Sequence, residues 1–108
     1  MTTPPGMHVD VTTSDTAECC VRIVGEIDMA TIGALRAAFA EVLEISTPQR
    51  LVVDTAGVTF LSAAGVRLFL QLGSRMRANG SVFAIDPVSP VADRVIQACG
   101  CSDLVGAG

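Results

Sequence analysis

The sequence predicts an α/β domain with the element order β-β-α-β-α-β-α. Three observations carry this. Two stretches near the N-terminus, residues 7–12 and 19–25, alternate with a period of two, as half-buried strands do. Three later stretches place apolar residues three and four apart, the spacing of one helix face. Short apolar runs, "LVVD" and "SVFAI", stand between those helical stretches. Strands alternating with helices imply parallel pairing through right-handed crossovers. At 108 residues the chain fits one domain with one hydrophobic core.

The elements follow in order. Residues 1–6 are polar and contain two prolines, so a disordered tail is expected there, with residues 7–108 forming the single domain. Met7, Val9 and Val11 share one face of a first strand, and His8, Asp10 and Thr12 share the other. "TSDTAE" is turn material, and "CCVRIVG" is a second strand with Cys19, Val21 and Ile23 on one face. The short connection makes these two an antiparallel hairpin at one edge of the sheet. A helix is expected near 30–45, where Ile32, Leu35, Phe39 and Val42 form one stripe and Pro48 marks its far limit. "LVVD", 51–54, reads as a central parallel strand buried on both faces.

A second helix is expected near 63–78, with Val66, Phe69, Leu70 and Met76 inward and Arg67, Gln71 and Arg75 outward. Asn79-Gly80 ends it. "SVFAI", 81–85, is the last strand. Ser89 and Pro90 suit the cap and first turn of a third helix. Val91, Val95, Ile96 and Cys99 would be its apolar side, and Gly100 its C-terminal cap. The remaining residues, "CSDLVGAG", are a short tail able to add one hydrophobic contact.

Composition narrows the function classes. Half of the residues are hydrophobic, with no Trp, no Tyr and four Phe, so the core is aliphatic. The net charge of −4 speaks against direct, non-specific nucleic-acid binding. No apolar run approaches the roughly 20 residues of a membrane span. "MTTPPGM" lacks the basic and apolar regions of a signal peptide, so a cytoplasmic location is expected.

The four cysteines, Cys19, Cys20, Cys99 and Cys101, have the spacings C-C and C-x-C, which are not those of a common zinc site. They read as reduced thiols, some buried as small hydrophobes. The rival reading is a redox pair between a strand cysteine, such as Cys20, and Cys99 or Cys101.

The sequence holds no recognisable catalytic arrangement. His8 lies on the polar face of the first strand, with nothing to bring it to Ser62. Asp28, Asp54 and Asp86 each follow a strand-like stretch, where carboxylates serve as metal ligands and bases or as turn formers and caps. No glycine-rich phosphate loop is present. Nothing supplies a nucleophile with an adjacent base or a metal-ligand set, so no enzyme activity and no cofactor are expected.

One stretch stands out, "FLSAAGVRLFL". Ser62 is placed to cap the second helix, and Ala63, Ala64 and Gly65 leave the following turn bare. Two readings fit: an ordinary capped helix packed closely on the sheet, or a site for a phosphoryl group or a partner's carboxylate.

"GEID", 25–28, followed by a helix and then "LVVDTAGVTFLSAAGVRLFL", 51–70, resembles the bacterial anti-sigma-factor antagonists, which are STAS domains. The likeness runs from Met7 to Leu104. It implies a small mixed, mostly parallel β-sheet with helices mainly on one side. It also implies a partner, an anti-sigma factor with an ATP-binding kinase fold, which the antagonist binds so that a sigma factor is released. In the family, that kinase phosphorylates a Ser or Thr at the start of the second helix, and phosphorylation ends binding. The added charge and bulk explain why: an interface fitted to a bare hydroxyl rejects a phosphoryl group.

Here the chain departs from the pattern. The family's usual stretch is Asp-Ser-Ser-Gly, with the first Ser as phosphoacceptor. Ser62 takes the Asp position and Ala63 the acceptor position, with Ala64 and Gly65 after them. Alanine has no hydroxyl to phosphorylate.

The resemblance thus implies a partner-binding surface of Asp28, Ser62, Ala63, Ala64, Gly65 and Arg67, without the usual phospho-switch, on a monomer or weak dimer. Control would fall to abundance or cysteine oxidation. Ser62 or Thr59 as a surrogate acceptor is one alternative. The other is a non-phosphorylatable interaction module in a lipid-transport or stress-signalling assembly.

Overall fold

The computed structural model describes residues 6–14, 17–45 and 47–105. Strand β1 (Met7–Thr13) and strand β2 (Glu18–Ile27) are followed by helix α1 (Ile32–Ile45), strand β3 (Arg50–Leu61), helix α2 (Ala63–Ala78), strand β4 (Val82–Val88) and helix α3 (Pro90–Ala98). A short 3-10 turn, Ser102–Leu104, comes last. The expected element order holds throughout. Residues 1–5 of the expected tail, and Asp15 and Thr16 of the expected turn, lie outside the described residues. Gly6 is tied to the sheet, since its carbonyl accepts a hydrogen bond from the Glu26 N–H at 2.7 Å.

The sheet order is β1-β2-β3-β4, the same as the order in sequence. β1 runs antiparallel to β2, while β2–β3 and β3–β4 are parallel. Cys19, Leu51 and Phe83 stand side by side across three strands and are all buried. One residue further on, Thr12, Cys20, Val52 and Ala84 form a row on the opposite face. That second face is largely polar: Asp10 pairs with Arg22, and Arg22 with Asp54.

The core lies between the first face and the helices. α1 supplies Leu35, Phe39 and Val42, and α2 supplies Val66, Leu68, Phe69, Leu72 and Met76. Both helices cover the same side, as two right-handed crossovers moving in one direction require. Phe39 and Phe69 seal them edge to face, with ring centroids 6.5 Å apart. Such a pair adds about 0.5–1.5 kcal/mol beyond the area it buries. Outside the core, Gln71 accepts a hydrogen bond from Arg36 Nη1 at 3.3 Å, bridging the two helices. Leu104 of the C-terminal turn is buried and adds the hydrophobic contact expected of the tail.

Several inward assignments differ from expectation. Leu70 is 40% exposed and Val91 37% exposed, and Cys99 is exposed as well. On α3 the inward line is Ala92 and Ile96, one residue round the helix from Val91, Val95 and Cys99. On α2, Leu68 and Leu72 take the inward edge and leave Leu70 on the outer one. Val11, on the edge strand β1, is 46% exposed.

β3 extends well past the expected 51–54. It passes through a register shift between Val53 and Thr55 and continues to Leu61. Asp54 is therefore a mid-strand residue, whose Oδ1 accepts from the Ala56 N–H at 3.0 Å. Val52 and Asp54 are only half-buried, so β3 is fully covered on one face rather than both.

Candidate functional site

Parallel strands end at the same edge of a sheet, and here that edge brings two distant segments together. Ile27 and Leu61 are partners at the ends of β2 and β3. The next residues, Asp28 and Ser62, therefore leave the sheet side by side. The junction is fixed by the Ser62 N–H, which donates to the Ile27 carbonyl at 2.9 Å.

Asp28 organises the turn into α1. Its Oδ1 accepts from the Ala30 N–H at 2.9 Å and the Thr31 N–H at 3.1 Å. Its own N–H donates to Thr31 Oγ1 at 2.9 Å, and that hydroxyl donates to the Glu26 carbonyl at 2.8 Å. Thr31 is buried, so this closed set of bonds satisfies the polar groups at the helix entry. Asp28 thus acts as a turn-former and cap. Asp28 itself is half-buried.

Ser62 caps α2. Its backbone is extended and its Oγ accepts from the Gly65 N–H at 3.2 Å. Ala63 is exposed, Ala64 half-buried and Gly65 buried. Gly65 is small because the sheet is close: a Cβ there would come within 2.6 Å of Leu61 Cδ1 and 2.8 Å of Ile27 Cγ2. The missing side chain lets α2 start directly against the pair that anchors the junction. The exposed part of the turn is a methyl group, Ala63, on the positive end of a helix dipole. Arg67 is exposed one turn further along α2, and Thr59 is exposed on β3.

Sequence reading missed two residues of this surface. Met29 is 79% exposed next to Asp28, and Phe60 is 47% exposed beside the Ile27–Leu61 pair. Met29 and Ala63 thus leave apolar side chains exposed in the two turns, while Phe60 lies on the outer face of β3. For Phe60 the signal was available: once β3 runs through to the buried Leu61, its neighbour must face away. For Met29 there was none beyond its place after Asp28.

The other candidates lie elsewhere. His8 Nε2 sits 3.0 Å from Asp10 Oδ1 on the exposed face of β1. All four cysteines are free. Burial raises the pKa of Cys19, with Cys20 adding to the shift. Burial also raises that of Cys20, reinforced by Asp54 and Glu18. Among the described residues no group of three or more His, Cys, Asp or Glu is placed to hold a metal ion, and no helix is long and apolar enough to cross a membrane.

Known structures share this architecture. An anti-sigma factor antagonist from Mycobacterium paratuberculosis superposes with a TM-score of 0.80 at 27% sequence identity, over 97% of this chain and 87% of that one. The anti-sigma factor antagonist SpoIIAA in its unphosphorylated form gives 0.79 at 17% identity, over 92% and 86%. The Bacillus cell fate determinant SpoIIAA in its phosphorylated form gives 0.68 at 19% identity, over 92% and 89%. At those identities the SpoIIAA structures speak to the fold alone. The sequence profile of the STAS domain matches residues 8–107. With a match of that extent on a four-stranded mixed sheet of this topology, the chain belongs to the STAS domain family.

Proposed function

We propose that this STAS domain is an anti-sigma-factor antagonist. Its partner is an anti-sigma factor with an ATP-binding kinase fold, and its binding releases a sigma factor in the cytoplasm. The surface used is the corner where Asp28, Ser62, Ala63, Ala64 and Gly65 meet, with Arg67 beside it. One observation carries the reading: the Ser62–Ile27 hydrogen bond joins the two segments of the family resemblance into one continuous surface. The likeness to the mycobacterial antagonist supports it.

The domain binds without the usual phospho-switch. Ala63 occupies the exposed first position of α2 and offers no hydroxyl. The neighbouring Ser62 Oγ is engaged in capping, one residue away from the position a kinase aligned on Ala63 would address. Binding therefore follows the abundance of the protein rather than its phosphorylation.

The test is co-purification from native lysate, with tagged wild type and Ala63→Glu side by side. A kinase-fold anti-sigma factor that comes down with wild type and is lost with the variant is the expected result. Recovery of lipid-transport or stress-signalling components instead would give the role to an interaction module of that kind. Stoichiometric phosphate on Ser62 or Thr59 would overturn the unswitched mechanism.

A further inference from the structure

We propose that Cys99 and Cys101 form a dithiol that a hydroperoxide oxidises to an intramolecular disulfide. This stands independently of the antagonist reading.

The argument begins with the end of α3. The Gly100 N–H donates to the Gln97 carbonyl and the Cys101 N–H to the Ile96 carbonyl, both at 3.0 Å. Gly100 has φ +70°. Together these are the paired bonds of a Schellman cap, with glycine in the left-handed position that other residues avoid. Cys99 is the last residue before that turn and Cys101 the first after it. A left-handed residue has the mirror image of helical torsion angles, so helix geometry sets its flanking Cα atoms about 5.4 Å apart. Disulfides span Cα separations of about 4.4–6.8 Å. An extended middle residue would hold the two Cα atoms further apart, at about 6.4–6.8 Å.

The side chains agree with the backbone. Cys101 Sγ lies 3.3 Å from the Cys99 carbonyl oxygen, so this thiol is folded back over the residue it would join. Cys99 is exposed and Cys101 half-buried against the core. Cys99 is thus open to attack on a small oxidant, and Cys101 is held beside it. The strand cysteines are poorer partners. Cys19 is buried on the core face and Cys20 occupies the opposite face of β2.

The chemistry balances. The Cys99 sulfur attacks the hydroperoxide, the O–O bond breaks, and a sulfenic acid and an alcohol (water, from hydrogen peroxide) result. The Cys101 sulfur then attacks the Cys99 sulfur, the S–O bond breaks and water leaves. The two thiols lose two electrons and two protons, and the hydroperoxide takes them up.

Arg94 is the last basic residue, so trypsin releases Val95–Gly108 with both cysteines in one peptide, while Cys19 and Cys20 leave in Met1–Arg22. The reduced protein is exposed to hydrogen peroxide, unfolded in N-ethylmaleimide, digested and weighed. The expected result is a Val95–Gly108 peptide lighter by two hydrogens that takes no maleimide until a phosphine reduces it. In Cys101→Ser, Cys99 is expected to carry a sulfenic acid that dimedone traps. Two maleimides on the treated peptide would overturn the proposal. So would a cross-link to Met1–Arg22, or a Cys101→Ser protein whose Cys99 takes no dimedone.

Discussion

The backbone of Ser62 hangs on that of Ile27, through an N–H to carbonyl hydrogen bond of 2.9 Å. These residues are 35 positions apart, yet the bond makes the turn into α1 and the cap of α2 one structural unit. Disturbing either side of it disturbs both.

Ala63→Glu separates binding from folding. The side chain is exposed at the first position of α2, where the helix dipole favours an acid. Stability is expected to stay level or rise by about 0.3–1 kcal/mol, read as the urea midpoint. Partner capture lost without any fall in that midpoint places the defect at the interface.

Ser62→Ala removes the capping bond to Gly65. A loss of about 1 kcal/mol is expected, with Ser62→Asp restoring most of it because a carboxylate caps the same N–H. Equal melting of all three proteins would mean that the hydroxyl does not hold the turn.

Gly65→Ala introduces a methyl group against Leu61 and Ile27. Overpacking costs about 1–3 kcal/mol, and the better helix propensity of alanine returns about 1 kcal/mol. The Leu61 methyl can rotate away, but Ile27 is branched at Cβ and stiff. A net loss of about 1 kcal/mol is expected, with an unchanged denaturant m-value. A neutral result would show that β2 and β3 yield at this point.

The strand thiols set a pH dependence. Burial, with Cys20 adding to it, raises the pKa of Cys19; burial, with Asp54 and Glu18 adding to it, raises that of Cys20. The folded chain therefore keeps these protons at pH values where the unfolded chain has released them. Stability falls as pH rises from about 8.5, where a free thiol ionises. Below that range both states are protonated and the effect vanishes. Unfolding of Cys19→Val and wild type between neutral and alkaline pH checks this: the variant is expected to lose less. Parallel curves would contradict it.

Much of this was legible because local chemistry matched the fold. Ser62 and Ser89 read as caps and are caps, and the alternation of Cys19, Val21 and Ile23 named the inner face of β2. The apolar run at Leu51 pointed to the central strand. What escaped was decided between elements. β3 shifts register after Val53, and β2 shifts between Arg22 and Val24 and again between Gly25 and Glu26. Those shifts depend on the partner strand, which one segment cannot reveal. Leu70, Val91 and Cys99 lie at the margins of their helical stripes, where periodicity gives a direction but not the reach of the neighbour. The site was half legible. Both segments could be quoted, but their meeting through Ile27, and the exposure of Met29 and Phe60, belong to the tertiary structure.

The strand order β1-β2-β3-β4 copies the order of synthesis. A chain emerging from the ribosome can lay each strand beside the one before it and never has to insert a strand between two already paired. The hairpin pairs locally, and each later strand waits only for its own crossover helix. By the time α2 has emerged, both halves of the candidate binding corner exist, while one edge of β3 still stands open for β4. Vectorial assembly therefore completes this corner before β4 joins the sheet.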